Sequence, residues 1–159
     1  LNAFTVYGKR LYGIDATNGM IWRYSASASA LSGESAYLSA PADEAKQGAA
    51  LAIDSSVYLL SNDGRVTKFT SGKRDTWHVA TIDPPLQSGS SIWTDAVTKN
   101  LVLTDQKAKR VVIFDKTGKL VQQITSPQFQ GPTAVWGDST TNSLYILDGT
   151  RIYKTDLPS

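Results

Sequence analysis

The chain has 159 residues, enough to bury on the order of 70% of the surface its unfolded form exposes, and it contains no cysteine, which excludes disulfides and thiolate metal sites. Sixteen Lys and Arg against 14 Asp and Glu leave a net charge of +2, too small for a phosphate-binding footprint. The densest basic cluster, Lys107, Lys109 and Arg110, falls at an expected turn and reads as a solvated hairpin tip, so no nucleic-acid partner is expected.

No apolar stretch approaches the ~20 residues of a membrane span, and none has the form of a signal peptide. The sequence opens at Leu1 without a methionine, from which a processed protein or a piece of a longer one is expected. A charged content of 19%, with Ser, Thr, Gly and Asn common in the connections, points to an extracellular or cell-surface setting.

In chain order, one short apolar pattern recurs four times: Leu11–Asp15, Val57–Ser61, Leu101–Asp105 and Leu144–Asp148, at intervals of 46, 44 and 43 residues. A repeat of that length built from β-type runs predicts an all-β protein, a β-propeller with four visible blades. Each pattern is preceded by an expected inner strand: Phe4–Tyr7, Ala50–Ile53, Ser91–Thr94 and Ala134–Gly137. The pattern itself is the second strand, apolar on both faces because blades stack on both sides of it.

A third strand with clearer alternation follows at Met20–Tyr24, Arg65–Thr70, Arg110–Asp115 and Arg151–Thr155. Asn18-Gly19, Asp63-Gly64 and Asp148-Gly149 supply the turns between second and third strands, and residues 106–109 make a longer one. Outer strands are expected at Glu34–Leu38, Thr76–Ile82 and Leu120–Thr125, and the fourth blade has none. The blades span approximately 1–38, 48–82, 89–125 and 131–157 of a single domain.

With one three-stranded blade, three arrangements are open: a four-bladed ring, a segment of a larger propeller, or a half-ring completed by a second copy. A half-ring exposes two apolar blade faces and cannot stay monomeric in water. The third and fourth repeats share a longer first hairpin and an inner-strand tryptophan, Trp93 or Trp136, which marks them as closer relatives of each other. These tryptophans either line a pocket or fill the space between inner strands.

The segment Gly13-Ile14-Asp15-Ala16-Thr17-Asn18-Gly19-Met20-Ile21-Trp22 resembles the blade motif of quinoprotein-like (PQQ-like) propellers, with Gly13 for the usual alanine and Asn18 for threonine. The segment Lys109 to Leu120, with Phe114-Asp115 ending a strand and Gly118 in the turn, resembles an NHL-type blade; Arg65 to Arg74 is a looser version. Together they are similar to the NHL and YVTN-like propellers of bacterial surface proteins. The resemblance implies a non-enzymatic binding or assembly module, an ectodomain-like part of a larger protein, with no cofactor and no transferable active site. A protein or glycan partner is then expected, with homo-oligomerisation as an alternative.

No catalytic or metal-ligating set stands out. His78 is the one histidine, beside Trp77, and no nucleophile elbow or triad frame surrounds it. One histidine cannot supply a zinc site, and Asp43, Glu44, Asp83, Asp95 and Asp138 lack the spacing of a calcium loop. A propeller hydrolase of lactonase or glycosidase type is therefore the alternative reading for activity.

Propeller topology puts the blade-to-blade connections 39–48, 83–89 and 126–131 on one rim with the turns at Asn18, Asp63, Lys107 and Gly149. On that rim Lys46, Asp83, Leu86, Lys107 and Phe129 are the candidate contact residues. Leu86 and Phe129 also have the character of caps over the blade cores.

Overall fold

Each copy of the repeat folds into its own antiparallel sheet, and the four sheets are arranged as a four-bladed β-propeller; the computed structural model describes residues 1–159. Blade 1 consists of β1 (Ala3–Tyr7), β2 (Arg10–Asp15), β3 (Met20–Ala26) and β4 (Leu31–Ala36). A single helical turn, α1 (Asp43–Lys46), leads to blade 2: β5 (Gly48–Ile53), β6 (Val57–Ser61), β7 (Val66–Thr70) and β8 (Lys73–Arg74). Blade 3 is β9 (Ile92–Trp93), β10 (Asn100–Asp105), β11 (Arg110–Asp115) and β12 (Leu120–Thr125). Blade 4 is three-stranded: β13 (Ala134–Asp138), β14 (Ser143–Asp148) and β15 (Arg151–Asp156).

The doubly apolar second strand does what its composition dictates. All residues of β6 and β10 are buried, because alternate side chains point into cores on opposite sides of the sheet. Ile14, Ile21, Leu51, Leu59 and Phe69 close the space between blades 1 and 2. Leu60, Leu101, Leu103, Val112 and Phe114 do so between blades 2 and 3, and Val102, Ile113, Leu144 and Ile146 between blades 3 and 4. Three buried cores therefore join four blades in sequence, and none of them joins blade 4 to blade 1.

Two expected strands are corrected. The outer strand of blade 2 is the short β8, and residues 76–82 leave the sheet. Asp75 accepts hydrogen bonds from Thr70 Oγ1 and the Trp77 amide and so turns the chain away. Trp77 Nε1 then donates to Lys116 O at 2.9 Å and the Ala80 amide to Gly118 O at 2.7 Å, so the segment bonds to blade 3 instead of β7. The inner strand of blade 3 shrinks to Ile92–Trp93 because side chains take over part of its ladder: the Ser91 amide donates to Thr104 Oγ1 and Thr94 Oγ1 donates to Asn100 O, while the Thr104 amide still donates to Ser91 O.

A matching departure occurs in blade 1, where the Ser39 amide donates to Gly72 O at 2.9 Å. Gly72 and Gly118 occupy the same turn in blades 2 and 3, with φ of +76° and +91°. A Cβ at either would lie 2.1 Å from the carbonyl oxygen of Tyr37 or His78 in the preceding blade. Glycine is required there twice, by the left-handed turn and by the close approach of another backbone.

Candidate functional site

The expected rim forms, and each connector is held on a neighbouring hairpin by main-chain or side-chain hydrogen bonds. The Asn62 amide donates to Gln47 O, and the Gly89 amide to Asn62 O. Asp105 accepts from the amides of Gln87 and Ser88, and Asp148, its counterpart in blade 4, from those of Gln130 and Gly131. Buried Asp105 is also gripped by Arg110, whose Nε and Nη2 lie 3.0 and 2.8 Å from its Oδ2. The same guanidinium donates to Pro84 O, Pro85 O and Gln123 Oε1, which ties the 83–89 connector to β12.

The five candidate rim residues do not converge. Lys46 ends α1 and pairs with Asp43 at 2.8 Å in solvent. Asp83 is exposed at the start of its connector, and half-buried Leu86 packs over Gly64 at the edge of the core between blades 2 and 3. Lys107 is exposed, held by its amide to Ser88 Oγ. Phe129 lies in the core between blades 3 and 4, edge-on to Tyr153 with ring centroids 5.3 Å apart, so its ring is a cap over that core and is not presented to solvent. Exposed His78 borders a groove of about 300 Å³ with Arg65, Arg74 and Leu86; Glu44 accepts from Arg74 at 2.7 Å there.

The residues that do meet are those of the four inner strands. β1, β5, β9 and β13 all line one cavity of about 460 Å³, whose walls include Tyr7, Trp93, Asp95, Trp136, Asp138 and Thr140. The two tryptophans hold equivalent positions, opposite Val102 and Tyr145, but differ in cover. Trp93 lies against Gly137, where any Cβ would fall within 2.5 Å of its ring. Trp136 is 60% exposed, 6.2 Å from the Tyr145 ring, and offers an aromatic face to the cavity side.

At one mouth of this cavity the inner strands of blades 2, 3 and 4 end in an aspartate, Asp54, Asp95 or Asp138. Each caps its own turn: Asp54 accepts from the Ser56 amide, Asp95 from Val97 and Thr98, and Asp138 from Thr140 and Thr141. Burial raises the Asp54 carboxyl, but Lys116 Nζ at 2.6 Å and the turn amides outweigh it and hold the group below the ordinary carboxylate value. Asp95 is likewise pushed up by burial and brought down further by Ser139 Oγ, its turn amides and Lys116. For Asp138 the Thr140 hydroxyl is the main cause of the lowering.

Lys116 also donates to Asp95 O at 3.2 Å, and Ser139 donates to the Asp95 carboxylate, so this mouth carries a chain of contacts across blades 2, 3 and 4. The network was not foreseen from sequence. Its signal is the Asp followed within two or three residues by Ser or Thr after each inner strand: Asp54-Ser55-Ser56, Asp95 to Thr98 and Asp138-Ser139-Thr140. No group of three or more His, Cys, Asp or Glu side chains is placed to share a metal ion.

No protein-family profile matches the sequence, and no curated protein sequence is significantly similar to it. Solved structures do share the fold. A chain of a nidogen/laminin complex superposes with a TM-score of 0.70 at 19% identity, over 97% of this chain and 59% of that one. The computationally designed Ika4 protein gives 0.67 at 13% identity, over 99% of this chain and 91% of Ika4. A chain of Kuenenia stuttgartiensis hydrazine synthase gives 0.68 at 14%, over 98% of this chain and 45% of that one. The class defined is the β-propeller, and this chain spans about three fifths of the nidogen/laminin-complex chain it matches. At 13–19% identity these likenesses show the fold alone, and function has to be argued from the site.

Proposed function

We propose that this chain is a non-enzymatic binding module that engages a protein or glycan partner at the inner-strand cavity, in an extracellular or cell-surface protein of NHL-like type. The observation that carries the reading is the cavity itself: about 460 Å³, shared by all four blades, with the exposed Trp136 ring beside the hydroxyls and carboxylates of its walls. An aromatic face next to oriented oxygens suits a sugar ring or a partner's polar loop, stacking on one side and hydrogen-bonding on the other. The aspartates at its mouth are committed to turn amides, which makes them rigid acceptors and poor proton carriers.

The test is a binding screen of the wild-type chain on a glycan array and on immobilised extracellular protein fractions, repeated with Trp136→Ala. Loss of binding by about tenfold or more in the variant, with unchanged circular dichroism, supports the cavity, since one stacked aromatic contributes on the order of 1 kcal/mol or more. Binding that ignores Trp136→Ala moves the site elsewhere. Turnover of a glycan or lactone that Asp138→Asn abolishes would replace this reading with the hydrolase one.

A further inference from the structure

The outward face of blade 4 repeats, position by position, a face that is buried elsewhere in the same molecule. On the side of blade 2 that blade 3 covers stand Ala52, Tyr58, Leu60, Val66 and Lys68, with Leu60 opposite Val66 and Tyr58 opposite Lys68. On the outward side of blade 4 stand Trp136, Tyr145, Leu147, Ile152 and Lys154, with Leu147 opposite Ile152 and Tyr145 opposite Lys154. Even the cation–π contact is conserved: Lys68 Nζ lies 5.6 Å from the Tyr58 ring centroid and Lys154 Nζ 5.8 Å from that of Tyr145. Leu60 is fully buried, whereas Ile152 is 70% and Trp136 60% exposed.

Blade 1 presents the complementary kind of face. Register places Phe4, Val6, Leu11 and Tyr24 on its outward side, at positions held in blade 2 by Leu51, Ile53, Val57 and Phe69. Those four are at most 6% exposed, while Phe4 and Val6 are 67% and 61% exposed. Glu34 stands against the Tyr24 hydroxyl on this side, an acid to set against Lys154 on the other. The glycine device also fits. In blades 2 and 3 the third-to-fourth turn needs Gly72 or Gly118 to admit a carbonyl from the preceding blade's outer segment. Blade 1 turns through Ser27–Ala30 without that glycine, and three-stranded blade 4 has no outer segment to dock there.

We infer that the outward faces of blades 4 and 1 are the two sides of one blade junction, and that a second copy of this chain joins them, blade 4 of each copy on blade 1 of the other, in a two-fold ring of eight blades. Each copy carries one face of each kind, so a single pairing buries all four. The contact continues the stacking already seen at three internal junctions, with apolar and aromatic residues at the same strand positions.

Light scattering of the wild-type chain at tens of micromolar is expected to give twice the mass of one 17.2 kDa chain. Ile152→Asp and Phe4→Asp change exposed positions outside the cavity lining, so each chain keeps its circular dichroism, and each variant alone is expected to run at half the wild-type mass. Mixed in equal amounts, the two variants regain dimer through one unaltered junction. A monomeric wild-type chain overturns the second copy and leaves the faces to blades from another source. A dimer broken by only one of the two variants, or a mixture no heavier than its components, overturns the head-to-tail pairing. Trp136 and Val6 border both the junction and the cavity, so mass and ligand binding are read on the same samples: the dimer inference stands or falls on mass alone, and the ligand reading on binding by the monomeric Ile152→Asp and Phe4→Asp chains, whose cavity lining is unaltered.

Discussion

Blades 3 and 4 are written in nearly the same local grammar and experience opposite surroundings. Both end the second strand in an aspartate that holds the incoming connector by its amides, and both open the third strand with an arginine opposite that aspartate. In blade 3 the arginine, Arg110, is 2% exposed and makes bonds to Asp105, Gln123 and two proline carbonyls. In blade 4, Arg151 is exposed along with most of β15, because no fourth strand and no further blade lies over it. Residue type builds the strand in both places, and the neighbours decide what each residue is worth.

That contrast is sharpest at the arginines. Arg110→Met leaves the Asp105 carboxylate buried without its cation and is expected to cost about 3–5 kcal/mol in urea unfolding. The same change at Arg151 is expected to stay within about 0.5 kcal/mol, as for an exposed site. Equal losses at the two positions would break the comparison. The turn glycines extend it at smaller scale. Gly149→Ala, with φ of +62° and open space around the new methyl, is expected to cost about 1–2 kcal/mol. Gly118→Ala carries that conformational cost and also displaces His78 O, and its thermal midpoint should fall further.

The smallest expected effect is on pH. Asp54, Asp95 and Asp138 have carboxyl values lowered in the folded protein, so their contribution is fully present above the unfolded value near 3.8 and is lost as pH falls through the folded values below it. Blade 1 has Gly8 where the others have aspartate. Hydrogen exchange followed from pH 7 down to below about pH 4 should therefore show the amides of Ser56, Thr98 and Thr140 losing protection, after correction for intrinsic rates, with the β1–β2 turn unaffected. A uniform loss over all four blades would contradict the assignment of these carboxylates to their own turns.

The architecture was legible in the sequence because it rests on periodicity. A second strand apolar on both faces can be satisfied only between layers, and four copies at nearly constant spacing leave few folds to choose from. The outer strand of blade 2 was misplaced because residues 76–82 look like a strand locally, while the decision to leave the sheet is taken by Trp77 and Ala80 bonding to the next blade. α1 was missed because four residues carry no period. The rim was placed correctly by topology, but its five candidate residues have separate environments. Phe129 illustrates why: this connector residue packs edge-on against Tyr153, 24 positions away on β15. The cavity needs all four inner strands at once, and only Trp93 and Trp136 gave any sign of it beforehand.

The glycine turns at Gly72 and Gly118 bear on how far a blade's surface can change without moving its neighbour. There the spacing of adjacent blades is set mainly by one main chain resting on another, an amide given in return for a carbonyl received, with the Ser39 hydroxyl adding a bond to Gly72 O. A contact made largely by backbone makes few demands on the surrounding letters. Blade surfaces on either side can then change while the angle between neighbours holds.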